Sequence, residues 1–175
     1  MSEIKNIEQI MIPLNKYPHI PYWFSLRQAI AEMEKSELDI NGRKSLPRVV
    51  LVFDEKYRLM GTVRRRDLMR GLEPEFLGAP SKEQSKWTFN IQVDPNLTEL
   101  SFENLVHGIR ERSERPVSDV MLPIARTIEA SDHLMKVIYE MVSNNLSLMP
   151  VMKEGRIIGV VRSVDVFHEI AELIL

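Results

Sequence analysis

Cysteine is absent from the 175 residues, which excludes disulfides, thiolate metal sites and a cysteine nucleophile together. Long apolar runs are missing too: the longest are about five residues, against the roughly 20 that a membrane-crossing helix needs. The opening stretch "MSEIKNIEQIMIPLNKYP" interleaves charge with every short apolar piece and shows no signal-peptide pattern, so a soluble cytoplasmic protein without membrane association is expected. A basic excess is lacking. With 23 Lys and Arg against 25 Asp and Glu, the one basic cluster is Arg64 to Arg66, which argues against a nucleic-acid partner. The four histidines (His19, His107, His133 and His168) have no metal-ligand spacing, and no phosphate-binding Walker loop or dinucleotide glycine fingerprint occurs. No catalytic residue, metal site or required cofactor is expected, and the chain is read as a non-enzyme. His168, three residues after Asp165, reads as a surface or interface histidine.

What the chain does contain is an internal repeat. Residues 58–69, "RLMGTVRRRDLM", and 156–167, "RIIGVVRSVDVF", share Arg, Gly, Val, Arg and Asp at five matching positions. Upstream, "IEQIMIP" at 7–13 resembles "VSDVMLP" at 117–123, and "SLRQAIAEM" at 25–33 follows the pattern of "HLMKVIYEM" at 133–141. Each copy predicts the same order. A short strand (His19-Ile20; Thr127-Ile128) precedes a helix whose apolar positions are Leu26, Ala29, Ile30 and Met33, or Leu134, Val137, Ile138 and Met141. Asp132 is placed to cap the second of these helices. A strand (49–53; 148–152), a charged turn, an antiparallel strand ending at Val63 or Val161, and a closing helix complete the unit.

The expected fold is therefore α/β (α+β): two pseudo-symmetric units of strand-helix-strand-strand-helix, packed sheet to sheet, because one three-stranded unit has a marginal core alone. The domains are 1–71, the first repeat; 72–116, an inserted connecting segment; and 117–175, the second repeat. The first copy carries an extra exposed loop, "SELDINGRKSLPR", with a turn signal at Asn41-Gly42. In the middle segment "WTFNIQV" at 87–93 reads as an edge strand and "LTELSFENLVHGIRERSE" as a helix. The closing helix, with Val164, Val166, Phe167, Ile170, Ala171, Ile174 and Leu175, is more apolar than one unit requires, which favours a homodimer.

Gly61 and Gly159 sit where a strand begins or where another backbone comes close. Three residues on stand Arg64 and Arg162, and three further Asp67 and Asp165, at the strand-to-helix junctions. Either aspartate could simply cap its own helix. As a pair, the carboxylate could accept both hydroxyls of a ribose while the guanidinium and the first helical N–H groups take phosphate oxygens.

On "VSDVMLP", "LMPVMKEGRIIGVVRSVD" and the closing helix, each repeat resembles a CBS domain, and the chain resembles a stand-alone tandem CBS pair. The second repeat fits over 117–175, and the first more loosely. The resemblance implies a regulatory, non-catalytic module that binds an adenosine-containing nucleotide (AMP, ADP or ATP, less so S-adenosylmethionine) between repeats and transmits this to a protein partner. It further implies homodimerisation through the helices of the pair. The family's ribose-binding aspartate falls on Asp165 and Asp67. The family's hydroxyl residue three positions earlier is replaced by Arg162 and Arg64, which would either hold phosphate or fill the cleft. The base pocket falls on Thr127, Ile128, Leu148, Met149 and Pro150, and in the first repeat on His19, Ile20, Val49, Val50 and Leu51, with Leu51 in place of the usual proline. The cleft around Asp165 is the favoured one. The alternative is a dimerisation or scaffold protein with side-chain-filled clefts, which Arg–Asp pairs turned onto each other would support.

Overall fold

The computed structural model describes residues 5–73 and 102–175. Each repeat builds its own helix and sheet from local signals. In the first, Asn6 caps the short helix α1 (Ile7–Ile10), and strand β1 (Ile12–Pro13) and a 3-10 turn at Leu14–Lys16 lead to β2 (His19–Pro21). Helix α2 (Leu26–Lys35) starts at a capping box in which Ser25 and Gln28 satisfy each other's backbone N–H groups. Its apolar stripe buries Leu26, Ala29 and Met33. The extra loop is an ordered hairpin, β3 (Leu38–Ile40) and β4 (Arg43–Ser45), turning at Asn41 and Gly42 with φ of 53° and 81°. It exposes β4 but buries Leu38, so it is a cover as well as a surface loop. Strands β5 (Val49–Phe53) and β6 (Leu59–Arg64) then pair antiparallel, and α3 (Arg65–Leu72) closes the repeat.

Helix α4 (Phe102–Arg112) lies within the helix expected for the middle segment; the strand expected at 87–93 falls outside the described residues. The second repeat follows with β7 (Leu122–Pro123), β8 (Ile128–Glu129), α5 (Leu134–Asn144), β9 (Leu148–Lys153), β10 (Arg156–Arg162) and α6 (Ser163–Ile174). Asn145 ends α5 in the left-handed region at φ 52°, and Leu146 N–H returns to the Met141 carbonyl. Asp132 does not cap α5. The N-cap is His133, and the Asp132 carboxylate instead accepts from the Glu129 N–H and pairs with Lys136.

The strand pairing departs from two self-contained units. One sheet has the order β1-β10-β9-β8 and the other β2-β5-β6-β7, so the Met-x-Pro strand of each repeat joins the sheet of the other. Both exchanged strands are edges, where proline is tolerated. Pro13 lies opposite Gly159 and Pro123 opposite Gly61. A Cβ on Gly61 would overlap the Leu122 carbonyl oxygen, and one on Gly159 that of Ile12, so close backbone approach is the reason for the repeated glycine.

Helices cover the outer sheet faces, forming one core around Ile128, Val137 and Met149 and a matching core around Ile20, Ala29 and Val50. The inner faces meet through a third cluster with Ile12 and Val160 from one sheet and Leu51 and Phe53 from the other. Among the described residues no helix is long and apolar enough to cross a membrane.

Candidate functional site

The two junctions are built alike. Arg64 and Arg162 are both extended, at φ −98° and −107°, where β6 and β10 turn into α3 and α6. Each folds its guanidinium back onto the aspartate three residues later. Arg64 Nε and Nη2 donate to Asp67 Oδ2 and Oδ1 at 2.8 and 2.9 Å, and Arg162 makes the same pair with Asp165 at 2.7 and 2.7 Å. These are bidentate, charge-assisted contacts.

Their surroundings differ. Asp67 also accepts from the Arg64 backbone N–H and from Arg70 Nη2, and its side chain is 0% exposed. With each oxygen receiving two donors and no solvent-facing surface, it has no room for ribose hydroxyls. Burial pushes its carboxyl up, but the Arg64 side-chain and backbone hydrogen bonds and the Arg64 and Arg70 charges outweigh this and hold it below the usual carboxylate value. The Arg64 side chain is 37% exposed; that of Arg162 is 14% exposed, and its Nη1 reaches Ser45 Oγ of the extra hairpin at 3.3 Å.

A cavity of about 130 Å³ opens beside Arg64, between the repeats. Val49, Thr62 and Arg64 form one wall; the stretch 122–126, Asn145 to Leu148, and Pro150 form the rest. Leu148, Pro150, Val49 and Arg64 are thus the sequence-expected residues that line it. Met149 and Ile128 point to the opposite sheet face, into the core under α5, and Ile20 and Val50 do the same under α2. Strand alternation is the cause: with Leu148 and Pro150 facing inward, Met149 must face the helices. Thr127 is exposed just beyond the lining stretch. His19 belongs to an aromatic group instead, with Nδ1 against the Tyr17 carbonyl, Nε2 against Tyr57 Oη, and its ring edge-on to Phe53 and Tyr57. His168 Nε2 lies 3.0 Å from both Arg43 Nη2 and Glu172 Oε1 at the surface.

The stretch Leu122 to Arg126 was not expected at the cavity. It comes there because β7 has crossed to the first sheet, carrying the following residues over the ends of β5 and β6. Arg126 brings a second cation, with Glu140 at 3.8 Å and its side chain 58% exposed. Two guanidiniums, the hydroxyls of Thr62 and Ser147, and apolar walls from both repeats suit an anion with a flat apolar part. Among the described residues no group of three or more His, Asp or Glu could hold a metal ion.

The sequence of residues 117–172 matches the profile of the CBS domain. No curated protein matches the chain. Solved structures do: the CBS-pair protein CBSX2 from Arabidopsis thaliana superposes with a TM-score of 0.65 at 16% identity, covering 98% of this chain and 97% of that one. The structure of CBSX2 in complex with AMP gives 0.60 at 16% identity over 96% and 97%. The CBS domain of a CBS domain containing membrane protein from Sphaerobacter thermophilus gives 0.63 at 18% identity over 93% and 86%. At these identities the likeness is one of fold. Residues 117–172 thus match the CBS-domain family in sequence, and the chain has the fold of a CBS-domain pair.

Proposed function

We propose that the chain is a non-catalytic sensor that takes an adenosine nucleotide (AMP, ADP or ATP) in the cleft beside Arg64 and passes the event to a protein partner. The observation that carries this reading is Arg64 itself. Anchored by Asp67 through Nε and Nη2, it keeps further N–H groups for an anion at the edge of an apolar-walled cavity, with Arg126 across from it. Asp67 is then the positioner of the arginine rather than the ribose acceptor. The AMP held by a protein of the same fold supports the choice of ligand. Two guanidiniums at the mouth disfavour the sulfonium of S-adenosylmethionine.

At about 130 Å³ the cavity falls short of the roughly 300 Å³ at which small-molecule sites begin. A nucleotide therefore fits better when the repeats separate slightly. That difference in affinity between two arrangements is what lets a ligand shift a conformational equilibrium. Isothermal titration with AMP is the test: Arg64→Ala and Arg126→Ala should each weaken binding by about 10- to 100-fold. No heat from AMP, ADP or ATP with the unaltered chain would refute the reading.

The scaffold reading is favoured by one observation, that both Arg–Asp pairs are closed on themselves. Both readings share a homodimer, which the outer helices suit: Met135, Tyr139 and Val142 on α5 and Val164, Phe167 and Ile174 on α6 are all more than half exposed. Phe167→Asp should convert the dimer to monomer in light scattering; an unchanged mass would place the interface elsewhere.

A further inference from the structure

The pair should have two clefts related by its internal symmetry, and the second can be located from strand register. Arg64 faces Val49 and Arg162 faces Leu148, so Leu148 corresponds to Val49 and Pro150 to Leu51; likewise Ile128, opposite Val151, corresponds to Ile20, opposite Val52. The exchanged strands make Ile12 the counterpart of Leu122 and Val160 that of Thr62. Translated in this way, the walls of the open cavity include the positions of Ile12, Leu14, Leu51, Leu148, Val160 and Arg162, with Pro13 and Val49 beside them.

Of these counterparts, Ile12, Leu51 and Val160 are buried in one cluster that contains Tyr17, and Leu14 and Leu148 pack against it. The ring is 3% exposed, and its hydroxyl donates to the Val49 carbonyl, the counterpart of Leu148 in the open cleft. Arg162 and Asp165 lie near enough to act on the phenol electrostatically, although burial is the main cause that pushes its pKa up. Tyr17 is supplied by a length difference: seven positions separate Pro13 from Ile20, but five separate Pro123 from Ile128. The extra hairpin completes the closure by placing Ser45 on Arg162.

We infer that Tyr17 is a built-in occupant of the second cleft, so that each chain takes one nucleotide, beside Arg64, and not two. The count of one rests on the nucleotide reading above; the filling of the cleft by the tyrosine ring does not, which allows the two to fail separately. Titration with AMP should give one site per chain for the unaltered protein and for Tyr17→Phe, which keeps the ring, and two sites for Tyr17→Ala. The second arm uses 4-methylphenol, the side chain of tyrosine as a free molecule. It should raise the melting temperature of Tyr17→Ala, or restore its folding if the variant does not fold alone, and leave the unaltered chain unmoved.

Two AMP sites in the unaltered chain would overturn the inference. So would a Tyr17→Ala chain that gains nothing from 4-methylphenol. Stabilisation by 4-methylphenol with no AMP bound by any variant would refute the nucleotide reading and uphold the filled cleft.

Discussion

An Asp67→Ala chain is expected to lose about 2–3 kcal/mol of stability at neutral pH. The carboxylate is fully buried at the start of α3 and accepts four donors, from Arg64 twice through its side chain and once through its backbone, and from Arg70. Removing it abolishes a helix cap and strips two guanidiniums of their partner. The figure lies below the roughly 3–5 kcal/mol of a fully buried pair because the Arg64 and Arg70 side chains are 37% and 59% exposed and water screens them. Asp67→Asn keeps an acceptor for the backbone N–H and should lose about half as much. The pH dependence has a definite sign. The folded carboxyl titrates below its ordinary 3.8, so its contribution is complete above that value and is lost as the pH falls through the folded pKa. Urea unfolding should thus show a constant gap between parent and variant from pH 5 to 8 that narrows in stronger acid. A gap under about 0.5 kcal/mol at pH 7 would place the pair with ordinary surface ion pairs.

The same arrangement bears on the ligand. An aspartate with both oxygens engaged can reach a ribose only by giving up its arginine, whereas an arginine held by two of its nitrogens still has donors to offer. The Arg-x-x-Asp spacing thus makes a fixed guanidinium at a helix start. At Arg162 the same fixture is turned to internal use, since Ser45 and Tyr17 fill the space around it. Duplication kept the fixture, and the flanking segments decide whether it faces solvent.

The repeat was legible because its signals are local: five matching residues in one twelve-residue stretch, and 3.6-residue periodicity in α2 and α5. The sheet-to-sheet packing followed from apolar surface too large for one unit. The exchange of β1 and β7 was not legible, since two-residue strands carry no periodicity of their own. Its one trace was Gly61 and Gly159, whose partner no local pattern names. Within the candidate pocket alternation separates Leu148 and Pro150, which line the cavity, from Met149, which a strand sends to the opposite face and into the core. Asp132 looked like a cap by type and position, yet its carboxylate turned back to the Glu129 N–H. Tyr17 was hidden in a two-residue length difference, a signal that acquires meaning once register fixes which positions correspond.

Gly159→Ala should destabilise the chain by about 1–3 kcal/mol, and Gly61→Ala by a similar amount. The added methyl meets the carbonyl oxygen of the exchanged strand, Ile12 in one case and Leu122 in the other, and a backbone carbonyl cannot swing aside as a side-chain tip can. For a chain of this length that corresponds to a fall of about 3–10 °C in melting temperature. Gly155→Ala is the informative control: at φ 74° it is strained by conformation, but nothing lies within 4 Å of the new methyl, so its loss of about 1 kcal/mol should leave strand exchange intact. Amide hydrogen exchange separates the two effects. In Gly159→Ala the Ile12 amide should lose protection while β9 keeps its own, because an edge strand can detach without dissolving the sheet behind it. In Gly61→Ala the same loosening falls on Leu122, which heads the stretch lining the open cavity. AMP binding should therefore weaken in Gly61→Ala more than in Gly159→Ala at equal loss of stability. Equal effects on binding would mean that the crossing strand holds the repeats together without shaping the cleft.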